Sequence, residues 1–240
     1  MPKKSKGSER KLSTRLIRKG ALIQESYLAF RQWELGTGMK ENLRRIQETN
    51  PVGAQNQGWL KEVIVTLSSR FTDEFQVEPL VILAQGDFPI DQWQACLLWH
   101  TAIVDELYFR FGTEWLFHEY QEGTYLMRTE DVMPFVARIT KGRISREGEL
   151  SEYGLRRAAR DLLRMAADFG LLNGKAARRF TTYHLSEACF LYVAHAIAEN
   201  ETNAQRIIDS PYWRLFLMGP QDVERELLNL HQYRKVHYES

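Results

Sequence analysis

Cysteine is nearly absent from these 240 residues, and the two present, Cys96 and Cys189, lie far apart in apolar, helix-patterned stretches. No CxxC pair occurs, which argues against a zinc ribbon or a disulfide framework. Two buried thiols suit a reducing compartment. Long hydrophobic runs are also missing. The longest charge-free, apolar-rich stretch, Gln92 to Val104, is too short to cross a bilayer and contains Gln94, His100 and Thr101. The basic start of the chain is not followed by the apolar segment of a secretion signal. The expectation is a cytoplasmic protein that does not span a membrane.

Catalytic signatures are scarce as well. There is no HExxH, no glycine-rich phosphate loop ending in Lys-Ser/Thr and no GxSxG elbow. The histidines at 100, 118, 184, 195, 231 and 237 never pair at i, i+4. Glu114 and His118 stand one turn apart, but one such pair is more often a structural contact than a ligand set. His100 and His195 sit among apolar residues and are expected in the core. Asp105-Glu106 and Glu130-Asp131 are neighbours that point different ways on a helix. No acid–lysine grouping suggests a nuclease. The expectation is a protein without enzymatic activity, cofactor or metal.

What the sequence does have is uneven charge. The formal net charge is only +1. Residues 1–20 carry eight Lys/Arg against one acid, and residues 134–185 carry eleven against five. The rest of the chain is correspondingly acidic, at −12. Two basic zones on an acidic background point to a polyanionic partner, with a solvated basic face as the bland alternative. Residues 1–19 read as a basic flexible arm.

Helical patterning dominates elsewhere. Leu22, Tyr27, Leu28, Phe30 and Trp33 suit an amphipathic helix stopping near Gly36 and Gly38. A short helix through Leu43 and Ile46 ends at Asn50-Pro51. Leu60, Val63, Ile64, Leu67 and Phe71 predict a helix over 58–71, with Val65 off its apolar face. Glu78-Pro79 reads as a helix start. Pro89 opens the longest predicted helix, Asp91 to Phe111, apolar around most of its circumference and therefore central, with Gly112 as its stop. Ser186 to Glu199 forms another helix, and Pro211 and Pro220 begin two more. The predicted fold is mainly α, with a helical bundle over 20–140. Residues 141–240 then form a C-terminal helical unit with a small winged-helix-like β-hairpin.

The functional signal lies in residues 151–185. Ser151 is a candidate N-cap, and Gly170 can take the left-handed position that ends a helix. Between them, Leu155, Ala159, Leu162, Ala166 and Phe169 share one helix face. Arg156, Arg160 and Arg164 form a stripe on the opposite side with Arg157 beside it, interrupted by Asp161 alone. Asn173-Gly174 signals a hairpin turn. A basic, strand-prone run with Lys175, Arg178, Arg179, Phe180, Thr181, Thr182 and Tyr183 follows. Helix, stop, turn and basic strand match the last helix and wing of a winged helix-turn-helix, in which the helix enters the major groove and the wing reaches phosphates. Arginine suits this because its guanidinium grips phosphate oxygens or a guanine edge with two donors. The expected contacts to double-stranded DNA are Arg156, Arg157, Arg160, Arg164, Lys175, Arg178 and Arg179. Lys141, Arg143, Arg15, Arg18 and Lys19 supplement them from the two basic zones.

Gly20-Ala21-Leu22-Ile23-Gln24-Glu25-Ser26 resembles the opening G-x-L-x-x-E-S of BrxA proteins, the family encoded in bacterial BREX phage-defence systems. Trp33, Glu41-Asn42-Leu43, Trp59 to Phe71, Leu97-Leu98-Trp99 and Arg156 to Leu172 are similar to further family segments, although the arginines usual in the 59–71 stretch are partly replaced. The resemblance covers about residues 20–175. It implies a small helical, DNA-binding, non-enzymatic subunit working with the BREX methyltransferase, phosphatase-like and ATPase components. It carries no contact residues over, so the site rests on charge geometry. The competing reading is a scaffold that joins other defence subunits without touching DNA.

Overall fold

A computed structural model describes residues 12–71, 74–144, 149–199, 201 and 203–236 of the chain. The chain is mainly helical, as the apolar periodicity predicts. α1 (Ile23–Arg31) and α2 (Met39–Thr49) lead into α3 (Gln57–Arg70), whose first turn is capped by Asn56 accepting from the Trp59 amide at 2.8 Å. Val65 is exposed on α3 while Leu60, Val63 and Leu67 are buried, in line with the pattern. α4 (Glu74–Gln85) begins earlier than Pro79 suggests, since the proline lies inside the helix.

α5 (Ile90–Val104) is the central helix, with Trp93, Cys96, Leu97, Leu98 and Trp99 all buried. It is neither the longest helix nor continuous to Phe111. Asp105 takes an extended conformation and its Oδ1 accepts from the Tyr108 amide at 3.1 Å, starting α6 (Glu106–Arg110). The chain then winds into a π-helical stretch, Phe111–Leu116, and α7 (Phe117–Gln121). Gly112 therefore does not end a helix. It lies inside the π-helical stretch, where the Leu215 side chain packs against it.

β1 (Met127–Arg128) precedes α8 (Thr129–Thr140). α9 (Glu152–Asp168) follows and packs on α8. Ser151 Oγ accepts from the Gly154 amide at 3.2 Å, the expected N-cap, and Gly170 takes the expected left-handed conformation at φ 78°. β2 (Leu172–Asn173) and β3 (Ala177–Phe180) form the hairpin. β3 pairs antiparallel with both other strands, giving the order β1-β3-β2, with Met127 opposite Arg178 and Leu172 opposite Phe180.

α10 (Glu187–Ala198) returns to α5, where the Cys189 thiol donates to the Gln92 carbonyl at 3.1 Å. α11 (Ala204–Ile208), a 3-10 turn at Pro211–Phe216 and α12 (Pro220–Gln232) follow, each proline starting its element as expected. One continuous core runs from Leu12 to Leu230. His100 belongs to it, with Nε2 2.6 Å from the Tyr192 hydroxyl. His195, expected in the core, is exposed instead, because α10 turns that side of its last turn to solvent. No helix among the described residues is long and apolar enough to cross a membrane.

The segment read as a flexible arm divides. Residues 1–11 lie outside the described residues. Residues 12–19 are folded onto the body instead of hanging free, because Leu12 and Ile17 are buried. The Leu12 amide donates to the Arg143 carbonyl at 2.9 Å, and Leu12 forms a parallel bridge with Ile144. Buried Arg70 then fastens the rest: its guanidinium donates to the carbonyls of Leu16 at 3.0 Å, Ala21 at 2.6 Å and Gly20.

Candidate nucleic-acid interface

α9 presents two faces. Ala159, Leu162, Ala166 and Phe169 are buried and Leu155 is half-buried, as the spacing predicts. At the edge of this buried side, beside Ala158 and Met165, stands Asp161, whose carboxylate is almost completely buried. Arg157 Nε lies 3.9 Å from it, Arg160 Nε 3.7 Å and Arg164 Nη2 3.7 Å. Arg18 joins these three in drawing the Asp161 carboxyl toward its ionised form. Burial works against them and lifts the carboxyl above its ordinary value. Three guanidiniums thus gather around one carboxylate, with Arg18 near enough to add its charge to theirs. Their combined charge exceeds what Asp161 cancels, and Arg160, with its side chain 63% exposed, faces solvent most openly.

Arg156 is different. Its Nη1 is 2.5 Å from Glu130 Oε1, and Glu152 stands 3.8 Å away, so this member of the stripe is largely neutralised. Arg164 also has a structural role. Its Nη2 donates to the Arg18 carbonyl at 2.6 Å, while Asp168 accepts from the Ala21 amide at 3.0 Å. The two basic zones, well over a hundred positions apart in the chain, are joined here. Arg15 and Arg18 are exposed on the folded N-terminal segment, and Lys19 pairs with Glu62 of α3 at 3.0 Å.

The hairpin divides its charges between two faces. Arg178 turns toward α9, feeling the charges of Asp168 and Arg164, while partial burial holds its guanidinium below its ordinary value. Arg179 points the other way, over the exposed Tyr125 ring at 5.2 Å, and donates to its hydroxyl at 3.0 Å. Lys175 is exposed in the loop between the strands. That loop is wider than a two-residue Asn-Gly turn, since Asn173 pairs with Arg179 and Gly174 only begins the excursion.

Lys141 is exposed at the C-terminal end of α8, in a shallow cleft with Arg138, Glu149 and Leu155 of α9, away from Asp161. Arg143 sits with its side chain only 12% exposed and 2.6 Å from Glu106, so it serves the packing of the N-terminal segment and α6. Neither joins the cluster around Asp161. Lys61 of α3 was not singled out by the sequence, yet it lines a cleft together with Arg15, Arg18, Lys19 and Arg157. Only the folded N-terminal segment reveals it, because a lone lysine on a mixed helix has no periodic signature.

The BrxA family model matches residues 10–196, more than three-quarters of the chain. The chain belongs to the BrxA family. It is thereby a component of a BREX phage-defence system. No match is found among curated proteins or solved structures. The matched region includes the folded N-terminal segment from Leu12, α9 and the hairpin, so every part of the basic surface on α9 lies within BrxA sequence.

Proposed function

We propose that this BrxA-family chain binds double-stranded DNA, without catalysis of its own, as a cytoplasmic accessory component of its BREX system. Its partners in that reading are the methyltransferase, phosphatase-like and ATPase components. The observation that carries the reading is the gathering of Arg157, Arg160 and Arg164 around the single buried carboxylate of Asp161, with Arg18 beside Arg157 in the adjoining cleft. Fixing several cations on one face is electrostatically unfavourable unless an anion completes the arrangement. Phosphates supply that anion at regular spacing, and their contacts release counterions.

The surrounding elements support a winged-helix reading. A helix, a short strand, two helices and a hairpin follow one another from α7 to β3, with strand order β1-β3-β2. In that arrangement α9 is the recognition helix and the β2–β3 hairpin is the wing. Arg157 and Arg160 would face the groove, and Lys175 and the exposed Arg179 would reach the flanking backbone. Arg156, held by Glu130, contributes less than its place in the stripe suggests.

The test is fluorescence anisotropy of a labelled duplex across a salt series, with the parent and an Arg157→Gln/Arg160→Gln variant. Losing two phosphate contacts should make the slope of log K against log salt shallower by roughly 1.8, and weaken binding about sixtyfold near 0.1 M salt. Melting temperature checks that the variant is folded. A parent that fails to bind duplex at low salt favours the scaffold reading and removes this one.

A further inference from the structure

The cleft between the folded N-terminal segment, α3 and α9 lies beside the α9 face, shares only Arg157 with the recognition helix and takes nothing from the wing. Its volume is about 380 Å³. Five cationic side chains line it, Arg15, Arg18, Lys19, Lys61 and Arg157, against a single carboxylate, Glu62. Glu62 is taken up by Lys19 at 3.0 Å. Arg15 and Lys61 make no ion pair with any described carboxylate.

The walls are fixed rather than incidental. Leu12 and Ile17 are buried, and Arg70 holds the carbonyls of Leu16, Gly20 and Ala21 from beneath. The turn over residues 15–19 is therefore pinned by its backbone and its apolar side chains, which leaves Arg15, Arg18 and Lys19 exposed. α3 supplies the opposite wall, where Lys61 stands exposed on the same helix as buried Arg70. Arg157 belongs both to this cleft and to the cluster around Asp161. Like charges held in a concave surface focus a positive potential that an anion relieves.

We propose that this cleft is a second phosphate site, which takes a phosphodiester group of the same duplex that α9 reads, with Lys61 as its distinguishing contact. The inference rests on the DNA-binding reading above and extends the contact surface to α3 and the N-terminal segment. Arg157 links the two sites, so a backbone leaving α9 passes directly into the cleft. The ligand chemistry is an oxyanion carried on a polymer, and binding is sequence-independent because no base edge is involved.

The test compares the parent with Lys61→Gln in the same duplex titration across salt. Arg206→Gln on α11 serves as a control that removes one exposed charge away from the cleft. For Lys61→Gln the slope should be shallower by about 0.9, roughly eightfold weaker binding near 0.1 M salt, equally on unrelated duplex sequences. Arg206→Gln should superimpose on the parent. Lys61 is exposed and leaves the core untouched, and an unchanged melting temperature verifies this. If the parent binds duplex and Lys61→Gln retains the full slope, or both variants shift equally, the cleft is not a phosphate site and α9 stands alone. If the parent binds no duplex at all, the DNA reading itself fails and the cleft proposal falls with it.

Discussion

His100, near the end of α5, and Asp105, which breaks the chain direction behind it, are both buried and titrate in opposite senses. Burial lowers the His100 pKa from 6.5 to about 4, so the folded protein keeps it neutral. Acidification through that window favours the unfolded chain, which takes up the proton more readily. Burial raises the Asp105 carboxyl from 3.8 to about 6, against the pull of the Tyr108 amide and Arg70. Between those values the folded protein holds a proton that the unfolded chain has released, so Asp105 favours folding at the acidic end and loses that contribution as pH rises. The two effects oppose each other between about pH 4 and 6.5. Asp105→Asn should therefore steepen the loss of stability on acidification, by on the order of 2 kcal/mol across the window. His100→Gln should reverse the trend. Urea midpoints of the three proteins from pH 4 to 7 measure this, and parallel profiles for parent and Asp105→Asn would contradict it.

Among the elements, the hairpin is the most sensitive to a single change. Gly174 adopts φ 99°, and a Cβ there would lie 2.3 Å from the Ala177 carbonyl oxygen. Gly174→Ala should distort the β2–β3 loop and cost at least about 1 kcal/mol. Faster amide exchange should appear across β3 and leave α5 unaffected. Unchanged protection at Arg178 and Phe180 would show that the loop has room to adapt. That turn residue was legible in the sequence, as were the Ser151 cap, the Gly170 stop and the two faces of α9. Each depends on local chemistry or on a period of several residues. β1 was not legible, because two residues have no period and its pairing with β3 is set by the fold. The break at Asp105 was hidden for a related reason. Apolar side chains continue on both sides of it, and only the buried cap on Tyr108 turns the chain. The site followed the same rule. The α9 arginines could be read from their spacing, whereas the pairing of Arg156 with Glu130 and the approach of Lys61 depend on contacts between distant segments.

At the scale of the whole molecule, the core is a single connected body from Leu12 to Leu230. α8 and α9 pack against each other, and helices on both sides of residues 141–150 contribute to this core. Unfolding should accordingly be one cooperative event, with far-ultraviolet circular dichroism and tryptophan fluorescence giving coincident denaturant curves. Two resolved transitions would mean that the halves melt independently.

The grouping around Asp161 sets unequal tolerances on the residues that form it. Losing any one arginine forfeits a phosphate contact yet leaves its neighbours crowded on the same anchor. The aspartate has no such understudy, and without it the remaining guanidiniums repel one another and fan apart.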